Sequence, residues 1–530
     1  MIQLWKWKKK ASPSAESVRT AETAVLEGPK VVETLPQTFR EVYPLNEPYA
    51  YAAITRDPSS GLMKYIVIEP ALLEEEKQAI KRIKEILVQE LDVDLNMLDS
   101  KEKAEQYLKE KVRKLIKTYR IKIAEESLGK ILYYIARDFI YLGKIDPLMR
   151  DHMIEDISCD GPGVPIYIWH REYESIPTNV LCESPDELDT FVIKLAYLSG
   201  RHISIAQPVV DAALPDGSRV QLTFSKEVTQ RGSTFTVRKF RADPLTITDL
   251  IILNTVSAEM AAFFWFAIEN KASILVAGGT ASGKTTSLNC LAMFIRPELK
   301  VVTIEDTPEL NLPHENWVAA VSRTGFGAGA EGGPAEITLF DLLKASFRQR
   351  PDYIIVGEIR GAEAFTLFQA VATGHGGLSS IHADSVESVI HRLEAEPMNI
   401  PRSLITSMDV ISVQLRTRIR DRTVRRIINV TEIVGLDSRT NELLTNEAFR
   451  WNMKTDTFQY SGRSYLLEKI MKLAAYSPEY VKEELERRKV VLEWMAKTGI
   501  RRYMDVAQMV RKYYIDPKRV YEQAKLGLFM

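Results

Sequence analysis

The stretch Gly278-Gly-Thr-Ala-Ser-Gly283-Lys284-Thr285 fits G-x-x-x-x-G-K-[ST] without a gap, directly after the apolar run Ser273 to Ala277 and directly before a helical pattern. In that setting, glycines let backbone N–H groups wrap phosphates and the helix offers its positive end. Lys284 can reach the β- and γ-phosphates and Thr285 can hold Mg²⁺. The phosphate-binding candidates are Gly278, Gly279, Thr280, Ala281, Ser282, Gly283, Lys284, Thr285 and Thr286. The plainer alternative is a glycine-rich turn in an α/β protein.

Hydrolysis also needs carboxylates to order water and support the metal. Pro351-Asp-Tyr-Ile-Ile-Val-Gly357-Glu358 is an apolar strand pattern ending in an acid, with Gly357 where an Asp would usually touch magnesium. Glu358 is the first candidate to position the attacking water; the alternative is that it only pairs with Arg360. A second acidic strand end, Val301-Val-Thr-Ile-Glu305-Asp306, puts Glu305 forward as an aid to Mg²⁺ and water, against a mere acidic turn at Thr307-Pro308. Thr285, Glu305 and Glu358 are thus the metal-side candidates. His375 and His382 flank a short strand pattern and fall near its two ends, so a shared metal site is not expected. His382 could sense a γ-phosphate by hydrogen bonding; a structural role is the alternative.

These groups need a scaffold. Three apolar runs, Ile274 to Ala277, Val301 to Ile304 and Tyr353 to Val356, with Leu378 to Ile381 as a weaker fourth, alternate with helical stretches. That is the pattern of an α/β fold whose parallel sheet is covered on both faces. Upstream, residues 11 to 35 read as a tail, Tyr65 to Pro70 as a strand, and Glu74 to about Leu142 as helices. Short strands are expected at Val164–Trp169, Val220–Phe224 and Thr234–Arg238, with a helix at Pro185–Ser199. The 530 residues suit three to four domains, and 45% hydrophobic with 27% charged residues excludes a disordered or membrane-embedded chain. Seventy basic against seventy-one acidic residues give no whole-protein field toward nucleic acid or anionic lipid. No apolar run approaches the length of a membrane span, and Met1 to Lys10 is not followed by the apolar core of a signal peptide. Three scattered cysteines, Cys159, Cys182 and Cys290, point to a reducing cytosol.

With these elements in this order, the sequence resembles the type II/IV secretion ATPase superfamily, the cytoplasmic motors of secretion systems, type IV pili and archaella. Its signatures fall at Gly278–Thr285 (Walker A), Val302–Leu310 (Asp box), Tyr353–Arg360 (Walker B) and Thr373–Asp384 (His box). Asp211 to Arg219 and Phe235 to Phe240 look like the segments that carry the family's nucleotide-facing arginines, and the resemblance covers roughly 145 to 435. It implies a RecA-like P-loop NTPase domain preceded by a helical and an α+β, PAS-like N-terminal domain. It also implies a homo-hexamer with ATP and Mg²⁺ between the lobes, Arg219 and Arg238 approaching the phosphates on closure, and a glycine at the Gly357 position as usual. The expected order is a tail over 1–42, a mostly helical module over 43–145, the PAS-like domain over 146–242, a linker over 243–250 and the ATPase domain over 251–530, with a helical appendage from about 436. The Glu305-Asp-Thr-Pro-Glu309 form of the Asp box, the Ile154 to Gly163 segment and the absence of a four-cysteine module suggest the archaeal branch. The segment Lys497 to Tyr503 and the residues C-terminal to it favour the branch's secretion or pilus members over archaellum motors.

The resulting expectation is an ATP-hydrolysing motor that drives secretion or assembly of pilin-like subunits. It would be cytoplasmic, peripheral to the membrane, and work on a polytopic platform protein. The rivals are an archaellum motor, a conjugative nucleic-acid translocase and a nucleotide-gated scaffold without turnover; no stable nucleic-acid partner is expected. Lys109 to Lys122, with seven positive charges and one negative, could face anionic lipid or an acidic platform loop, or be a solvated helix face. Trp5 and Trp7 with Lys8 to Lys10 form a weak membrane-interface candidate, and Gly325 to Pro334 reads as a mobile loop or lid.

Overall fold

The computed structural model describes residues 39–57, 60–90, 100–240, 243–323, 336–419 and 422–529. Of the tail expected over 1–42, residues 1–38 with both tryptophans lie outside the described residues, as does the glycine-rich stretch at 325–334, while the first strand already starts at Glu41. The chain divides into two compact units, one up to Phe240 and one from Arg241 onward.

In the first unit, nine strands form one sheet in the order Glu41–Asn46, Ala50–Arg56, Met63–Ile68, Glu174–Leu181, Pro165–His170, Ile154–Cys159, Thr234–Arg238, Arg219–Thr223 and Val209–Ala213. The module expected over 43–145 and the α+β domain expected over 146–242 therefore share a sheet. They meet at a single backbone register pair, Tyr65 with Thr178. The Asn179 side chain extends the seam, donating to the carbonyl of Val67 at 2.9 Å and accepting from its N–H at 2.8 Å. The buried Asp151 carboxylate accepts from the hydroxyls of Tyr43 (2.7 Å) and Tyr65 (2.6 Å), tying the first strands to the rest. Three helices, Glu74–Glu90, Lys101–Thr118 and Glu125–Phe139, bury Ile83, Leu108, Val112 and Ile131 against one another. The basic run from Lys109 begins on the second of these and continues past its end, with Val112 and Leu115 buried beneath its charges. Helix Pro185–Leu198 starts at the Ser184 cap, whose side chain accepts from the Glu187 N–H at 3.2 Å.

The second unit holds another nine-stranded sheet. Its first six strands, Trp317–Val321, Val301–Glu305, Tyr353–Val356, Gly376–Ile381, Ile274–Gly278 and Val410–Ile419, run parallel. Arg422–Leu436, Leu443–Asn452 and Thr457–Tyr460 extend it antiparallel. Alternation along the P-loop strand splits the core: Ile274 and Val276 join one cluster, Leu275 and Ala277 the other. Helices Leu339–Phe347, Glu363–Ala372 and Val386–Glu394 cover the second face.

Two expectations need correction here. The appendage from about 436 begins with two strands of the main sheet, and its helices are core: Pro478–Thr498, Tyr503–Ile515 and Pro517–Phe529 close over helix Ala258–Glu269. That helix is apolar on nearly every side, so it must be covered twice. Trp265 stacks on Phe294 at 5.0 Å and donates to the Tyr514 hydroxyl at 2.9 Å, while Arg488 and Glu484 pair at its flank (2.5 Å). The stretch expected as a linker over 243–250 contains the start of helix Ile247–Ile252, fixed by a capping box between Thr246 and Asp249. Charged residues spaced along amphipathic helices read as surface in isolation; the tertiary partner decides how much is covered. No helix among the described residues is long and apolar enough to cross a membrane, and the three cysteines are buried free thiols.

Candidate active site

Strand register brings the sequence candidates to one edge of the parallel sheet. Ala277 pairs with Ile381, so Gly278 and His382 follow at the same level. Ile304 pairs with Val356, so Glu305 falls beside Gly357, with Glu358 one residue further out. These are carboxyl ends of parallel strands, where ligands bind in open α/β sheets.

Gly278 ends its strand, and helix Lys284–Ala292 begins directly after Gly283. Gly283 takes φ +96° and Ala281 φ +57°, a left-handed conformation unusual for a residue with a Cβ. At Gly278 a Cβ would sit 2.4 Å from Ser282 Oγ and 2.6 Å from the Gln414 carbonyl, so only glycine fits. Lys284 Nζ donates to the Gly279 carbonyl at 3.1 Å and so lies along the loop. Ser282 Oγ is buried and has no hydrogen-bond partner among the described residues. Thr285 and Thr286 stand half-buried in the first helical turn, and Thr280 is exposed at the loop's crest.

Glu305 is 4% exposed and accepts from the N–H groups of Glu309 (2.9 Å) and Leu310 (3.0 Å). Burial outweighs those donors and pushes its carboxyl up to about 7. Gly357 lies against the same side chain: a Cβ there would be 3.2 Å from Glu305 Cγ, a tight contact. Its carbonyl accepts from Ser380 Oγ at 2.7 Å, which locks the turn that presents Glu358. Glu358 pairs with Arg360 at 2.5 Å, as the plainer alternative expects, but the Arg360 side chain is 69% exposed and such a pair is weak. The carboxylate remains at the sheet edge.

His382 is exposed at this edge, and its carbonyl accepts from Arg392. His375 lies at the opposite end of the strand, with its ring nitrogen 3.1 Å from the Ala370 carbonyl, a local structural contact. In the first unit, Arg219 and Arg238 are exposed and directly opposed on neighbouring strands, with Asp156 opposite Arg238 on the other side. Like charges opposed across a ladder are unfavourable by themselves, and an anion relieves them.

The loop fits a polyphosphate: a turn closed to any side chain at Gly278, a buried hydroxyl inside it, a lysine along it and a helix N-terminus. The oxygen donors Thr285, Glu305 and Glu358 suit a hard divalent cation that keeps phosphate and water ligands. Two residues escaped the sequence reading. Gln414 is 2% exposed in an apolar strand and accepts from Ser287 Oγ at 2.8 Å; a lone buried amide was its only signal. Arg425 donates from Nε to the Ala281 carbonyl at 3.0 Å. Nothing in its run of arginines marked it out.

A parallel sheet with the P-loop on an inner strand and carboxylates at strand ends along the same edge defines a RecA-like P-loop domain. Residues 179–513 match the family described as Type II/IV secretion system protein, and the chain belongs to that family. It is 41% identical over 401 residues to MJ0900, an uncharacterized protein of Methanocaldococcus jannaschii, across 74% of this chain and 71% of that one. It is 31% identical over 332 residues to Type IV secretion system protein PtlH of Bordetella pertussis, across 56% of this chain and 95% of the relative. Among solved structures, the VirB11 ATPase of the Brucella suis type IV secretion system aligns with 26% identity and a TM-score of 0.27, covering 54% of this chain and 91% of that one.

Proposed function

We propose that this chain is an ATP-hydrolysing hexameric motor that powers secretion or assembly of pilin-like subunits at the cytoplasmic face of a membrane, through a polytopic platform protein. The observation that carries the catalytic part is the strand register that brings Glu305 and Glu358 to the same carboxyl-end edge of the sheet as the P-loop, on the third and second strands from its own. Family membership and relatives named for type IV secretion support the rest.

In this reading the loop from Gly278 to Thr286 holds the phosphates, and Lys284 offsets their charge. Thr285, Glu305 and Glu358 would hold Mg²⁺, which when bound would supply further charge neutralisation. Glu358, released from its exposed partner Arg360, orients the attacking water. Arg219 and Arg238 supply positive charge to the transition state, and His382 bonds the terminal phosphate.

The test is Mg²⁺-dependent turnover with mass photometry on the same samples. Glu358→Gln is expected to lose about a hundredfold or more in turnover while ATP-bound hexamers persist. Turnover by a monomer would overturn the ring, and undiminished turnover would overturn the role of Glu358. Strongly salt-dependent DNA binding would instead favour a nucleic-acid translocase.

A further inference from the structure

The groups assigned to the reacting phosphate lie on one side of the P-loop strand: Glu305, Glu358 and His382 all follow strands on the flank that begins with Gly376–Ile381. A nucleoside triphosphate with its terminal phosphate toward them leaves its nucleoside end on the other flank. That flank is the hairpin formed by Val410–Ile419 and Arg422–Leu436.

Gly278, the last residue of the P-loop strand, pairs with Gln414. The hairpin therefore continues past the sheet edge by five residues of its first strand, about 16 Å at strand spacing. Alternation puts Arg416 on the face of Gln414, and Arg425 stands directly opposite Arg416. This face meets the loop: Gln414 bonds Ser287 at 2.8 Å, Arg425 Nε bonds the Ala281 carbonyl at 3.0 Å, and Arg425 Cδ lies 3.3 Å from where a Cβ on Gly283 would sit. The opposite face anchors the arm, since Arg426 binds the Asp456 carboxylate at 2.7 and 2.8 Å.

We infer that Arg425, with Arg416 beside it, forms the nucleoside-side wall of the ATP site. The Nε–H of Arg425 holds the left-handed turn at Ala281, while its guanidinium plane stacks on the base. An ammonium group could reproduce the charge but not the plane. The inference rests on the ATPase reading and adds which residues recognise the nucleoside half.

Calorimetric titration of the full chain with ADP, a non-hydrolysable ATP analogue and inorganic tripolyphosphate tests it. Arg425→Ala is expected to weaken both nucleotides about tenfold while tripolyphosphate affinity stays within about twofold, and Arg425→Lys to fall between. Equal loss for all three ligands would mean that Arg425 only shapes the loop, and no loss would mean that it touches nothing; either overturns the inference. Wild type that binds tripolyphosphate but shows no gain for nucleotide also overturns it, whereas wild type that binds none of the three overturns the ATPase reading itself.

Discussion

Glu305 and Gly357 occupy one space between neighbouring strand ends. Glu305 is buried, bonded to two backbone N–H groups, and leans where a side chain on residue 357 would begin. A conventional Asp at that position would meet the Glu305 side chain. Gly357→Asp is expected to cost about 1–3 kcal/mol of stability through overpacking, and to depress turnover with it. Thermal unfolding of the variant alongside a phosphate-release assay checks this; unchanged melting would show that the site has room to give. The glycine was visible in the sequence as a departure from the usual motif. Its cause was not, because Glu305 is fifty-two residues away and meets it only across the sheet.

At the scale of elements, the arginine hairpin depends on its root. Arg426 is buried and bidentate to Asp456, whose carboxylate also accepts from Trp451 Nε1 at 2.9 Å. Arg426 above all, then Trp451, holds the Asp456 carboxyl at about 2, below its usual 3.8. A depressed carboxylate stabilises the fold fully above its unfolded value and loses that contribution as pH falls through the folded one. The stability gap between wild type and Asp456→Asn should therefore be constant from pH 5 to 8, about 2–3 kcal/mol, and shrink between about 4 and 2. Urea unfolding across that range measures it; a gap independent of pH would remove the ion pair as its source. The sequence shows this stretch only as a charged, arginine-rich strand pattern, since its partners come from a later hairpin.

For the whole molecule, the opposed arginines of the first unit are the part of the proposed chemistry that lies outside the P-loop unit. Arg219→Ala is expected to lower turnover by about 10³-fold while nucleotide affinity changes less than about tenfold, because the charge is needed in the transition state more than in the ground state. Turnover and equilibrium ADP binding on the same preparation check it; a variant as active as wild type would return Arg219 to an ordinary surface arginine. The C-terminal helices bear on the whole as well. They bury Trp265 and Phe294 beneath Tyr513 and Tyr514, so the helices from Pro478 onward belong to the core of the second unit.

What the sequence determined by itself is what depends on near neighbours: the glycine-lysine loop between strand and helix, the acidic strand ends, the alternation of a covered parallel sheet, and through them the family. Bonds of this kind close within a few residues, so residue type and spacing are enough to show them. Tertiary structure alone decided which distant edges meet. It paired the Ala50–Arg56 strand, whose alanines carry little strand signal, with Met63–Ile68, and joined that strand through Asp151 and Asn179 to a sheet completed more than a hundred residues later. It also turned a charged tail into core and brought Arg425 onto Ala281. Those outcomes rest on burial and register between segments far apart in the chain, which no local pattern encodes.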